Sequence, residues 1–349
     1  MILYDPDIPV GLTAFGILIP VRDSRATKTL QVLQRDDKLG PLKDRWLCDK
    51  IDERLERQDL LRAHAPQYVE RLYSPALEAE ITATYELIDD QGRYHRYAPH
   101  TATQPLSLLF ERIMIKAGGT VQCARLALAH GFCFYFSGGM HHAHRDHGSG
   151  FCPINDVVLA ARKLQSENKV QKVWIIDTDA HKGDGTAAIT AGDNSIHTLS
   201  IHMARGWPLD GPATLADGRP NPCFTPSDID IPIEAGEEEV YLERLKTGLD
   251  RIEELGSADL AIVVSGADPY EKDELPSTAG LKLSLEQMLA RDQMVYNFLE
   301  QRRVPAAFLM AGGYGDAVWQ VYTQFLTWAL RRRLIRRPPG PQDPIWPGT

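Results

Sequence analysis

The stretch VWIIDTDAHKGDG, residues 173–185, opens as an apolar run and closes in acids, a histidine and glycines. Its first residues, bulky and apolar without a break, have the composition of a strand buried on both faces. Side chains alternate along a strand, so Asp177, Asp179 and His181 are expected on one side and Thr178 and Ala180 on the other. Carboxylates and an imidazole at a strand end suit a divalent metal that takes oxygen and nitrogen ligands. An ordinary polar turn has the same composition. The surrounding chain decides between the two.

Outward from this stretch, apolar strands alternate with amphipathic helices. Besides 173–178, strands are expected at 132–136, 195–201, 259–265 and 305–311. Helices are expected at 155–164, 186–191, 237–255, 284–303 and 318–333, with Ser284 and Gln287 forming a capping box. A further helical segment, 106–129, is interrupted by Gly118 and Gly119. This alternation implies an α/β fold of three layers, α/β/α, with a mainly parallel central sheet. No linker divides it, so one catalytic domain is expected over 1–349, with a proline-rich tail from about residue 337. The stretch 203–228 is long for a connection, and such loops are often walls or lids of a site. Trp207 within it is a candidate wall.

Bulk properties narrow the function classes. The chain has 349 residues, with 38 Lys and Arg against 47 Asp and Glu, a net charge of −9. That balance argues against a protein held to nucleic acid by its overall field. Five scattered cysteines with no CxxC pair fit a reduced compartment. The N-terminal MILYDPDIPVGL lacks the basic and apolar segments of a signal peptide. No apolar run approaches the roughly 20 residues of a membrane span. A soluble, cytoplasmic protein without membrane or direct nucleic-acid partners is expected; the oligomeric state is left open.

The unusual polar residues fall at four expected strand ends: SGGMHH (137–142), DTDAHKGD (177–184), GAD (266–268) and GGY (312–314). In an open parallel sheet, ligands bind outside the carboxyl ends of the strands. His141 and His142 are adjacent, so each ring needs its own partner, and Asp177 and Asp184 are available to fix their tautomers. Asp268 completes a three-ligand site with Asp179 and His181 that leaves room for water and substrate. Tyr314, after two glycines, can offer its phenol to an oxyanion. His144 and His147 lie in HRDHGSG, which reads as a polar loop outside this cluster, and His64 reads as a packing or hydrogen-bonding residue.

With these motifs in this order, the chain resembles the histone deacetylase superfamily of zinc amidohydrolases. The likeness rests on SGGMHHAHRDHGSGFCPIND (137–156), DTDAHKGDG (177–185), TLSIH (198–202), SGAD (265–268) and AGGYG (311–315). It implies an arginase/deacetylase-like fold and one catalytic Zn²⁺ on Asp179, His181 and Asp268. It implies that His141 and His142 pair with Asp177 and Asp184, and that Tyr314 polarises the scissile carbonyl. Gly150 and Phe151 would line a tunnel for an extended acyl-amine chain, with Trp207 and Leu275 as further tunnel residues. A structural K⁺ would use Asp177, Asp179, His181, Ser200 and Ile201, largely through backbone oxygens. The implied substrate is an acylated lysine side chain or a small acylated amine. Lys182 and Met140 depart from the pattern of many members, and no acidic loop residue is evident near 98–105. The stretch DELPSTAGLKLS (273–284) resembles class IV and bacterial members, and Leu275 stands where an acid would suggest acetylpolyamines. Two other readings are a two-metal ureohydrolase, whose further acids are missing at Gly183 and Tyr270, and a non-catalytic acyl-lysine binder.

Overall fold

The structure is a computed structural model that describes residues 1–9 and 11–335. Its strands are β1 (Ile2–Leu3), β2 (Leu47–Cys48), β3 (Phe132–Tyr135), β4 (Val173–Asp177), β5 (Ile196–Met203), β6 (Ile229–Ile233), β7 (Leu260–Ser265) and β8 (Ala306–Met310). They form one eight-stranded sheet in the order β2-β1-β3-β8-β7-β4-β5-β6. Every pairing in it is parallel. The expected proline-rich tail lies outside the described residues.

All five residues of β4 are buried, as a continuous apolar run in a two-sided parallel sheet requires. Its alternate residues enter two different cores. Trp174 and Ile176 pack with the helices Tyr241–Glu254, Leu285–Arg302 and Trp319–Leu334 on one face. Val173 and Ile175 pack with Ser107–His130 and Asp156–Ser166 on the other. Each such fully buried side chain contributes about 1.5–3 kcal/mol, and their sum holds the three layers together. The capping box forms as expected: the Ser284 hydroxyl accepts from the Gln287 N–H at 3.2 Å, and the Gln287 side chain accepts from the Ser284 N–H at 2.9 Å.

Three expectations need correcting. The helix Ser107–His130 runs straight through its glycines. A Cβ on Gly118 would lie 2.4 Å from the Glu53 carbonyl oxygen, and one on Gly119 2.3 Å from the Tyr135 hydroxyl. Close approach, not a helix break, demands glycine there. The strand β6 was not expected, because IDIPI carries a proline and an acid. It is an edge strand, where proline is tolerated, and its isoleucines at 229, 231 and 233 alone face inward. The two-residue strands β1 and β2 are too short to show periodicity.

Candidate active site

The four polar strand ends follow β3, β8, β7 and β4, which are contiguous in the sheet. One rim therefore carries all of them. β4 ends at Asp177. The side-to-side alternation expected as far as His181 stops there, and a loop brings Asp179 and His181 inward.

Asp179, His181 and Asp268 present ligand atoms within 4.8 Å of one another, and all three are buried. The His181 Nδ1 lies 3.2 Å from Asp179 Oδ1 and 3.2 Å from Asp268 Oδ2. Gly266 and Gly312 leave the space these oxygens occupy: a Cβ on either would come within 2.4 Å of Asp179 Oδ2. Burial, and after it the charge of Asp179, pushes the Asp268 carboxyl up to about 7. Burial works against a charged His181, but its bonds to Asp179 and Asp268 outweigh it and hold the ring up at about 10. Three ligand groups that share protons at so short a range are what a divalent cation would hold without them. The donor set, two carboxylates and one imidazole, fits such an ion.

The tandem histidines find the expected partners. His141 Nδ1 lies 2.6 Å from Asp177 Oδ2, and His142 Nδ1 lies 2.7 Å from Asp184 Oδ1. Their rings are close, with centroids 3.8 Å apart. Burial opposes charge on both. For His141 the carboxylates of Asp177 and Asp179 prevail and raise it to about 9. For His142 the neighbouring His141 adds to burial, and the ring falls to about 4. The two rings are thus shifted in opposite directions.

His144 corrects the reading of HRDHGSG as a polar loop outside the site. It is buried, and its Nε2 lies 2.9 Å from Asp184 Oδ2. Asp184 therefore holds two imidazoles, one per oxygen, and despite burial they depress its pKa. His147 does remain outside, paired with Asp146 and stacked on His144 with ring centroids 4.7 Å apart.

Several supporting residues were not singled out from the sequence. Asn155 donates to the carbonyls of His141 and Ala143 at 3.4 and 3.3 Å, and Asp156 accepts from the Met140 N–H at 2.7 Å. Arg291 is fully buried and donates to the carbonyls of Thr178 (3.0 Å) and Gly266 (2.8 Å), joining the loops after β4 and β7. Asp273 accepts from the Tyr314 N–H at 2.7 Å. Ser277 Oγ sits 3.2 Å from His181 Nε2, where a ligand imidazole usually has an outer partner.

His64 is a hydrogen-bonding residue, as expected. Its Nδ1 lies 2.9 Å from the His144 carbonyl oxygen, and its Nε2 accepts from the Asn155 N–H at 3.0 Å. Burial, the largest influence, lowers its pKa to about 4, against about 6.5 in an unfolded chain. Between these values the unfolded chain binds a proton that the native one refuses, so stability falls as pH drops from about 6.5 to 4. His64 accounts for about 3 kcal/mol of that loss. Denaturant melts across this window should show a flatter pH dependence for His64→Gln; an unchanged slope would reject the assignment.

Gly150, Phe151, Trp207 and Leu275, the expected tunnel residues, all line one cavity of about 230 Å³ together with His142, His181 and Tyr314. The Trp207 ring lies 4.5 Å from that of His142. A Cβ on Gly150 would strike Trp207 at 2.3 Å, so glycine keeps this wall closed up. Glu86, Arg96 and Asp210 also line the cavity, with Glu86 and Arg96 paired. A second cavity of about 120 Å³ is lined by His141, Asp179, His181 and Tyr314 and also by Met140, Arg25 and Lys116. Of the residues expected to hold a monovalent ion, Asp177 pairs with Ser200 across β4 and β5, and Ile201 is buried beside them. Lys182 forms an ion pair with Asp230 at 2.8 Å. Among the described residues no helix is long and apolar enough to cross a membrane.

Comparison with known proteins agrees with this geometry. The model of the histone deacetylase domain matches residues 19–330. Histone deacetylase 2 of Arabidopsis thaliana is 25% identical over 338 residues, covering 97% of this chain and 80% of the relative. An uncharacterized protein of Picosynechococcus sp. is 30% identical over 259 residues, covering 71% of this chain and 80% of its own. Acetoin utilization protein AcuC of Staphylococcus aureus is 27% identical over 268 residues, covering 75% of this chain and 65% of its own. With nearly the whole described chain inside that match, and the motif residues gathered on one rim of the sheet, the protein belongs to the histone deacetylase domain family.

Proposed function

We propose that the protein is a zinc-dependent hydrolase that removes an acetyl or other acyl group from an N-acylated amine, with acyl-lysine of a protein or peptide as its substrate. One observation carries this reading: a buried cluster of Asp179, His181 and Asp268, with His181 on the lining of the 230 Å³ cavity, beside two His–Asp pairs. Asp179, His181 and Asp268 would hold the ion. When bound, such an ion polarises the amide carbonyl and makes water acidic enough to attack it near neutral pH.

The chain's own groups do the rest. Asp184 fixes the His142 ring through Nδ1, leaving Nε2 to take the proton of the attacking water. His141, kept protonated beside Asp177, stabilises the negative charge that builds up and helps the amine leave as it gains a proton. Burial, followed by the charges of Asp268 and Asp179, raises the Tyr314 phenol well above its ordinary pKa. Tyr314 therefore stays a donor and can hydrogen-bond the oxyanion. Phe151 and Trp207 would exclude water along the acyl-amine stem. Asp177, Asp179, His181, Ser200 and Ile201 would hold a structural K⁺ behind the site.

The exposed Asp210 on the cavity lining favours a second reading, deacetylation of a small cationic amine such as an acetylpolyamine. Purified protein loaded with Zn²⁺ and offered acyl-lysine peptides and acetylpolyamines separates the two. Release of acid from the peptides is expected. Turnover of polyamines alone would favour the second reading, and binding of acyl-lysine without release would reject catalysis.

A further inference from the structure

Asp184 has a second neighbour that the hydrolytic reading leaves without a task. His144 Nε2 lies 2.9 Å from Asp184 Oδ2, and Cys223 Sγ lies 4.0 Å from the same nitrogen. The three ligand atoms fall within 4.8 Å of one another; His144 and Asp184 are buried and Cys223 is half-buried. None of the three belongs to the Asp179–His181–Asp268 set. Cys223 sits on a short turn, Pro222–Phe224, where its N–H donates to Asn221 at 3.1 Å. His147 stacks on His144 and steadies its ring.

We propose that His144, Asp184 and Cys223 form a second divalent-metal site, of the zinc class, whose occupancy lowers turnover at the first. The chemistry of the donors selects the ion. Thiolate, imidazole and carboxylate together suit Zn²⁺ and exclude Mg²⁺ or Ca²⁺, which prefer all-oxygen shells. Bonds of about 2.1 Å to nitrogen and 2.3 Å to sulfur span the separation of His144 from Cys223. Burial, then the charge of Asp184, keeps the free Cys223 thiol protonated, with its pKa pushed up to about 12. The ion replaces that proton, which is released on binding. His144 would offer the metal the Nε2 that now faces Asp184 and Cys223.

The coupling to catalysis runs through one carboxylate, and this part rests on the proposed hydrolysis. Asp184 Oδ1 orients His142 while Oδ2 faces the second site. An ion on Oδ2 draws charge from the whole carboxylate, so His142 becomes a weaker base and turnover falls.

Zn²⁺ or Co²⁺ titrated into full-length protein already holding one ion per chain tests the site. A second ion should bind, give a thiolate-to-cobalt absorption band in the Co²⁺ form, and lower turnover about tenfold, an ordinary coupling between linked sites. Cys223→Ala should lose the second ion, the band and the inhibition while keeping basal turnover, and Cys223→Ser should match it. Saturation at one ion, or a second ion unchanged in Cys223→Ala, would overturn the proposal. Stoichiometry and the cobalt band do not depend on turnover. A chain with two ions and the band but no hydrolysis would reject the proposed function and leave the site standing. The coupling would then be read from the His142 imidazole nitrogen resonance, and no shift on binding the second ion would reject it.

Discussion

Asp268→Ala is expected to bring bound metal from one catalytic ion per chain to near none, and to cost at least about 10³-fold in turnover. The carboxylate is fully buried, with Oδ2 3.2 Å from the His181 nitrogen that would share the ion and Oδ1 accepting from the Ala180 N–H at 3.1 Å. Its loss would remove one of the two carboxylates proposed to hold the ion and free the loop that carries His181. Asp268→Asn keeps the shape and an acceptor for Ala180, so comparing the two variants separates ligand charge from loop geometry. Metal content by mass spectrometry and turnover on an acyl-lysine peptide are the readouts. Full activity with full metal in Asp268→Ala would remove this residue from the centre.

His142→Ala should lower turnover by about 10²–10⁴-fold, the usual contribution of a proton-transfer group, with little change in metal content. His142 is the ring kept neutral, pushed down to about 4 by burial and by His141. It is therefore ready to accept a proton at neutral pH. His141, raised to about 9, is not. His141→Ala should lower turnover too, and it should also raise the basicity of His142 by removing the neighbouring positive charge. Unchanged turnover in His142→Ala would show that the base is elsewhere.

The cluster on the rim was legible because each motif closes an apolar strand. An acid or histidine directly after a buried run has only the sheet rim to occupy, and in a parallel sheet all rims of that kind coincide. Hence Asp179, His181, Asp268, the two histidines and Tyr314 could be named together. Their supports could not. Arg291 sits in a helix beside Asp292, with nothing in its neighbours to single it out, yet it is fully buried against the Thr178 and Gly266 carbonyls. Glycines 118 and 119 read as a helix break because residue type alone does not show what packs against them. His144 lies among polar neighbours, and only the inward course of its loop sets it on the free oxygen of Asp184.

Residue order and type sufficed for the α/β alternation and for the membership of the rim, since these follow from periodicity and from where polar residues close apolar runs. Tertiary packing decided the rest. The strand order makes β3, β8, β7 and β4 neighbours, closes the cavity with Trp207 and Phe151, and gives one carboxylate two histidines. It also shifts the pKa values of adjacent imidazoles in opposite directions, because that depends on which charge lies nearest in space and how little water reaches it.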